Sequence, residues 1–115
     1  MMDKNVFENW ILGGAQNAES VEREESTEPD GSSVLKLKLN LKSDAATRAV
    51  KLFMQRIECI DAVSDKSELM ANVNWCNGYI YGLLASDVID YGQADALGEV
   101  LRFKMRVQAQ KIGLE

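Results

Sequence analysis

Residues 28–41 read EPDGSSVLKLKLNL, and the reading of this stretch decides the fold. Pro29 presets φ for the first central position of a turn. Asp30 suits the second, and Gly31 can take the left-handed conformation that follows. This is the pattern of a three-residue hairpin loop, a type I turn closed by a glycine bulge. Beyond it, Leu35, Leu37, Leu39 and Leu41 alternate with Lys36, Lys38 and Asn40. A strand here turns its leucines to one side and its polar residues to the other.

The turn also sets a register. It places Glu24 opposite Lys36 and Glu22 opposite Lys38 on the solvent face, and Val21 opposite Leu39 on the inner face. Glu19, Arg23 and Glu25 offer the leucines little, so the first strand reads as a charged, self-protecting edge. The competing reading is an acidic disordered tether over residues 19–32. The charge match across the turn favours the hairpin.

Outward from the hairpin the periodicity changes to helical. Asp3 can cap a short first helix carrying Val6, Phe7, Trp10 and Ile11, ended by Gly13-Gly14. Ser43 or Asp44 opens a second, with Ala46, Ala49, Val50, Phe53, Ile57 and Ile60 inward and Arg48, Lys51 and Gln55 outward. Asp65 or Ser67 opens a third, over residues 66–85, with an inner stripe of Leu69, Val73, Cys76, Ile80 and Leu83. Ala71, Gly78, Gly82 and Ala85 form a second stripe beside Trp75. Interior glycines cost a helix about 1 kcal/mol each against alanine, so close packing within the chain is expected there, or a partner's helix. Asp90 and Gln93 make a capping box, with Ile89 and Ala94 placed as a hydrophobic staple. The fourth helix then runs to about residue 111. It carries two apolar lobes: Ala94, Leu97, Leu101 and Met105, then Ala96, Val100, Phe103 and Val107. Lys104 and Gln108 sit awkwardly between them.

The expected fold is therefore α+β and mostly helical, in the order α-β-β-α-α-α. A hairpin over about 19–41 packs on a small helical bundle. Residues 1–115 form one domain, with an N-terminal helix in 1–18 and a three-helix region in 43–112. With 46% apolar and 27% charged residues the composition is that of an ordinary globular chain. It contains no run of ~20 apolar residues and no basic, apolar leader at Met1-Met2-Asp3-Lys4, so a cytoplasmic location is expected.

Chemistry is harder to find. There is no histidine, which removes the commonest general base and zinc ligand. The helical offset between Cys59 and Cys76 is too long for a disulfide, so two buried free thiols are expected. No nucleotide, hydrolase, redox or metalloprotease motif occurs. Asp87, Asp90 and Asp95 lack the spacing of a calcium loop, and Asp90 already has a capping role. Read as a helix-turn-helix, the third and fourth helices would set carboxylates against phosphates. No catalytic residue, metal site or cofactor is expected.

Charge is segregated. Residues 19–30 hold six acids against Arg23, residues 31–57 six bases against Asp44, and residues 58–99 eight acids against Lys66. With a net charge of −5, nucleic acid is disfavoured as a ligand. The alternative is a nucleic-acid-associated accessory protein using the basic 36–56 segment, through Lys42, Arg48, Lys51 and Arg56. The expected function is a non-enzymatic protein-binding module. Small acidic proteins of this kind often serve phages or mobile elements as inhibitors, in anti-defence or immunity-like roles, by occluding a partner. Tyr81, Asp87, Asp90, Asp95 and Glu99 are the candidate partner contacts. Val100, Phe103 and Val107 are the candidate interface of a homodimer. Thermal unfolding should be unchanged by excess chelator; a melting temperature lowered by several degrees would reveal a structural metal.

Overall fold

The computed structural model describes residues 5–7, 11–13, 20–27, 29, 31 and 33–114, with the side chains of 5–7, 11–13 and 33–35 left aside. The chain is α+β. Strands β1 (Asn5–Phe7), β2 (Ile11–Gly13), β3 (Val21–Thr27) and β4 (Ser33–Asn40) precede helices α1 (Asp44–Ile57), α2 (Lys66–Ala85) and α3 (Tyr91–Lys111). A 3₁₀ turn, Glu58–Ala62, links α1 to α2.

The hairpin forms in the expected register. β3 and β4 are antiparallel, with Val21 against Leu39, Glu22 against Lys38 and Glu24 against Lys36. Gly31 has φ +88°, the left-handed conformation its place in the turn requires. Glu28 and Asp30, the other turn residues named above, lie outside the described residues, as does Glu19. Leu37, Leu39 and Leu41 are fully buried against the helices.

The first helix is not there. Residues 5–7 and 11–13 are strands, each parallel to β4, with Val6 beside Val34 and Leu12 beside Leu39. β3 pairs along β4 from residue 33 to residue 39, so β1 and β2 share its other edge. Asp3, Trp10 and Gly14 lie outside the described residues. The physical reason is the open edge of β4. An isolated helix of about ten residues is marginal in water. A strand laid along β4 satisfies the same backbone groups and suits Val6, Phe7 and Ile11 equally well.

The three later helices begin at their expected caps. The side chains of Ser43, Asp65 and Asp90 each accept a hydrogen bond from the backbone N–H three residues on. The α2 stripe of Leu69, Val73, Cys76, Ile80 and Leu83 is buried throughout. The two polar residues that fit the α3 pattern poorly both have partners. Lys104 Nζ pairs with Asp61 of the 3₁₀ turn at 3.0 Å. Gln108, which is buried, donates from Nε2 to the Val63 carbonyl at 2.7 Å. Both cysteines are free, and Cys76 is buried. Cys59 is exposed, contrary to the expectation of two buried thiols, because at helical spacing it lies about 160° around from Ile57, opposite the buried stripe of Phe53, Ile57 and Ile60.

Sheet and helices meet at Gln93. Its N–H donates to Asp90 Oδ1 at 2.8 Å and its Oε1 accepts from Asp90 N–H at 3.1 Å, which completes the capping box. Its Nε2 then donates to the carbonyls of Asn40, at 2.8 Å, and Ser20, at 3.1 Å. Those two residues are themselves a hydrogen-bonded pair at the end of the hairpin, Asn40 N–H to Ser20 O at 2.9 Å. A buried side chain at 2% exposure thus has its whole amide engaged. Gln93→Ala should lower stability by about 2–3 kcal/mol, since it orphans buried donors and acceptors as well as opening space. The shift in urea midpoint measures it.

Candidate functional site

The surface that stands out is the outer face of α2. Its inner stripe faces the core, so Ala71, Trp75, Gly78, Gly82 and Ala85 point outward, and all are exposed. No charged residue lies between Glu68 and Asp87. The close packing expected at Gly78 and Gly82 is absent. A Cβ added at either would meet nothing within 4 Å. Among the described residues the glycines are therefore uncovered, and their helix-propensity cost has no compensating contact there.

Trp75 is the centre of this face, at 47% exposure. It stacks on Tyr79 with centroids 5.3 Å apart and planes 12° apart. The Arg56 guanidinium caps it at 4.7 Å from the ring centroid. Tyr79 is held in turn: its hydroxyl donates to the Ala49 carbonyl at 2.9 Å, and its ring lies 6.1 Å from that of Phe53. An exposed tryptophan is thus fixed in one orientation by groups from α1 and α2. Tyr81 lies further along α2 and is 72% exposed.

The candidate acidic contacts divide. Asp87 is exposed in the α2–α3 turn, with φ +62°. It occupies the left-handed position where glycine is usual, since Val88 N–H returns to Leu83 O and Asp87 N–H to Leu84 O. An aspartate there costs backbone energy that glycine would not. Asp95 is exposed on α3. Asp90 is occupied as the α3 cap. Glu99 is occupied by Arg23, whose two terminal nitrogens reach its carboxylate at 2.7 and 2.5 Å. Arg23 lies opposite Leu37, so it points to the helix side and ties β3 to α3. The hydrogen bond to Glu99 raises the guanidinium above the ordinary arginine value, against desolvation, with Asp95 and Glu25 adding to the effect. Raised in this way, the guanidinium stays charged at every ordinary pH, and its contribution to stability would be lost only as pH rose beyond the ordinary arginine range. Tyr91 is 79% exposed and was missed. Its place just after the Asp90 cap, clear of the apolar lobes, is the signal that marks it.

The other candidate surfaces are weaker. Val100 is buried at 3% exposure, and Phe103 and Val107 are half-buried. The second lobe of α3 is thus largely covered within one chain. Lys42, Arg48 and Lys51 are exposed. Arg56 is taken up by Trp75, and Lys36 and Lys38 face Glu24 and Glu22 across the hairpin. An open concavity of about 340 Å³ is lined by Glu22, Arg23, Glu24, Lys36, Leu37 and Lys38. Its charges alternate in sign, which suits no single ionic ligand. Burial pushes the Cys76 thiol up, with Arg56 opposing, which moves it away from the thiolate a nucleophile needs. Among the described residues no group of three or more acidic or cysteine side chains could hold a metal ion. No described helix is long and apolar enough to cross a membrane.

The fold and this surface define an α+β chain with one uncharged, aromatic-bearing helix face. Comparison with protein-family models, with curated proteins and with solved structures gives no match. The functional reading rests on geometry alone.

Gly78→Ala and Gly82→Ala should each stabilise the monomer, by up to about 1 kcal/mol, because both sites are helical, open and free of positive φ. Urea unfolding at low protein concentration reads this directly. A loss of stability would mean that something in the chain covers the glycines.

Proposed function

We propose that this chain is a non-enzymatic protein-binding domain that acts in the cytoplasm, and that the outer face of α2 is its contact surface. The observation that carries this reading is Trp75, half-exposed yet held in place by Tyr79 and Arg56. Rigid aromatic side chains on a surface lose little conformational entropy on binding and dominate interface energies. With no charge along α2 from Leu69 to Ser86, burying that helix face carries little desolvation cost beyond Arg56 beside Trp75. Asp87 and Asp95 supply exposed negative charge, which speeds encounter with a basic partner surface. A role as a small acidic inhibitor or accessory protein, of the kind carried by phages and mobile elements, fits these features: the domain would act by occluding what it binds.

A photoreactive phenylalanine analogue in place of Tyr81 tests the surface. In cells of the organism that carries the gene it should crosslink to a discrete protein species, identified by mass spectrometry. Trp75→Ala should remove that crosslink while leaving the urea midpoint of the domain within about 1 kcal/mol of the parent value. Crosslinks that persist in Trp75→Ala would place the binding surface elsewhere.

A further inference from the structure

The reading of α2 as a protein-binding face leaves its occupant open. Resting on that reading, we infer that the occupant is a second copy of this chain, with the two α2 helices crossing antiparallel at Gly78 and Gly82.

Charge is the first argument. A two-fold interface sets each surface patch against itself, so any charge near the axis meets its own kind. On a chain with eighteen acids and thirteen bases, most surfaces would bring like charges together. Along α2 itself every residue from Leu69 to Ser86 is uncharged, and the cation beside it, Arg56, is held over the Trp75 ring.

Shape is the second. The face carries a knob, Trp75, and beside it a notch, Gly78 and Gly82, with open space above both glycines. Knob and notch lie on the same helix face about one to two turns apart. With the two-fold axis midway between the glycines and the helices antiparallel, Gly78 of one copy meets Gly82 of the other. Trp75 then falls over Ala85 and Gly82 of the second copy. The face is thus complementary to itself. A parallel pair would set Trp75 against Trp75 and leave the notch unfilled, and it would align rather than oppose the helix dipoles.

Area is the third. Trp75 and Tyr81 are exposed by 47% and 72%. Together with Ala71, the glycines and Ala85 they offer on the order of 400–500 Å² per copy, taking ordinary side-chain areas. A pair would bury roughly 800–1,000 Å², the size of weak, transient contacts, which points to reversible association in the micromolar range or weaker. The fixed orientation of Trp75 reduces the ordering cost that would otherwise defeat so small a contact. The crossing also explains why two glycines occupy the interior of an exposed helix at all.

Mass measured by sedimentation equilibrium from low micromolar to submillimolar concentration tests the inference. The parent chain should move from one copy toward two. The double variant Gly78→Ala/Gly82→Ala should self-associate at least about tenfold more weakly, while its unfolding midpoint at low concentration rises. These opposite directions separate a blocked crossing from a damaged fold. Trp75→Ala should also weaken the pair. Leu52→Ser, which removes another exposed apolar side chain from α1 (59% exposed), should leave it unchanged. A parent chain that stays at one copy throughout the range overturns the self-pairing. So does a pair that persists unweakened in the glycine double variant. Neither result touches the protein-binding reading, which fails only if the Tyr81-position crosslink to any protein is absent or insensitive to Trp75→Ala.

Discussion

One glutamine amide holds the two halves of this protein in register. Gln93 sits at the third position of α3 and closes the capping box with Asp90. A box of this kind needs only the side-chain oxygen. The nitrogen is left over, and here both its protons go to carbonyls at the open end of the hairpin, on Ser20 and Asn40. The start of a helix and the end of a strand pair are thereby fixed to the same side chain. Leu39 and Leu41, on either side of Asn40, are carried into the core by the same anchorage. The Arg23–Glu99 pair repeats the connection further along, at the surface, where solvent screens it and geometry matters more than strength.

The helices obey a second constraint, which is how their stripes divide the work. α1 and α3 combine one buried face with charged outer residues, as surface helices do. α2 does not. Its outer side is uncharged from Leu69 to Ser86, mixing Asn74 and Asn77 with small and aromatic residues, and nothing among the described residues lies within 4 Å of a Cβ added at Gly78 or Gly82. Such a helix in a water-exposed position is costly unless something covers it. The fold thus spends stability on a surface, and that expenditure is what the proposed binding role would account for.

Much of this was legible in advance, and the reasons differ by element. The hairpin register followed from Pro29 and Gly31 together with strict alternation, two local signals that agree. Helix starts followed from Ser43, Asp65 and Asp90, because a cap is a short-range hydrogen bond. The strands at the N-terminus were not legible. Val6, Phe7 and Ile11 fit a helical or an extended period, and the choice was made by the free edge of β4, which lies almost thirty residues away in sequence. Arg23 looked idle beside its leucine neighbours because its partner Glu99 is 76 residues distant. The second role of Gln93 was hidden for the same reason. At the candidate surface, Tyr81 and Asp87 were placed correctly as exposed. Asp90 caps α3 and Glu99 pairs with Arg23, and Trp75 gained its weight only from the Tyr79 and Arg56 contacts. The glycine pair was read as a sign of tight packing within the chain; the pattern marks a place where something could approach closely, and it carries no information on which molecule supplies it.

The acidic edge of the sheet has a consequence for the order of events on the ribosome. The hairpin is complete once residue 40 has emerged, but its anchor, Gln93, and Glu99 beyond it are still to be synthesised. Until then Leu37, Leu39 and Leu41 have no α3 to pack on, the condition in which nascent sheets recruit one another. On the β3 edge Glu22, Glu24 and Glu25 stand exposed, and two such edges brought together would set carboxylate against carboxylate. The charge that pairs across the finished hairpin is therefore also a guard on the unfinished chain, active during the interval between the first half of the chain and the last helix.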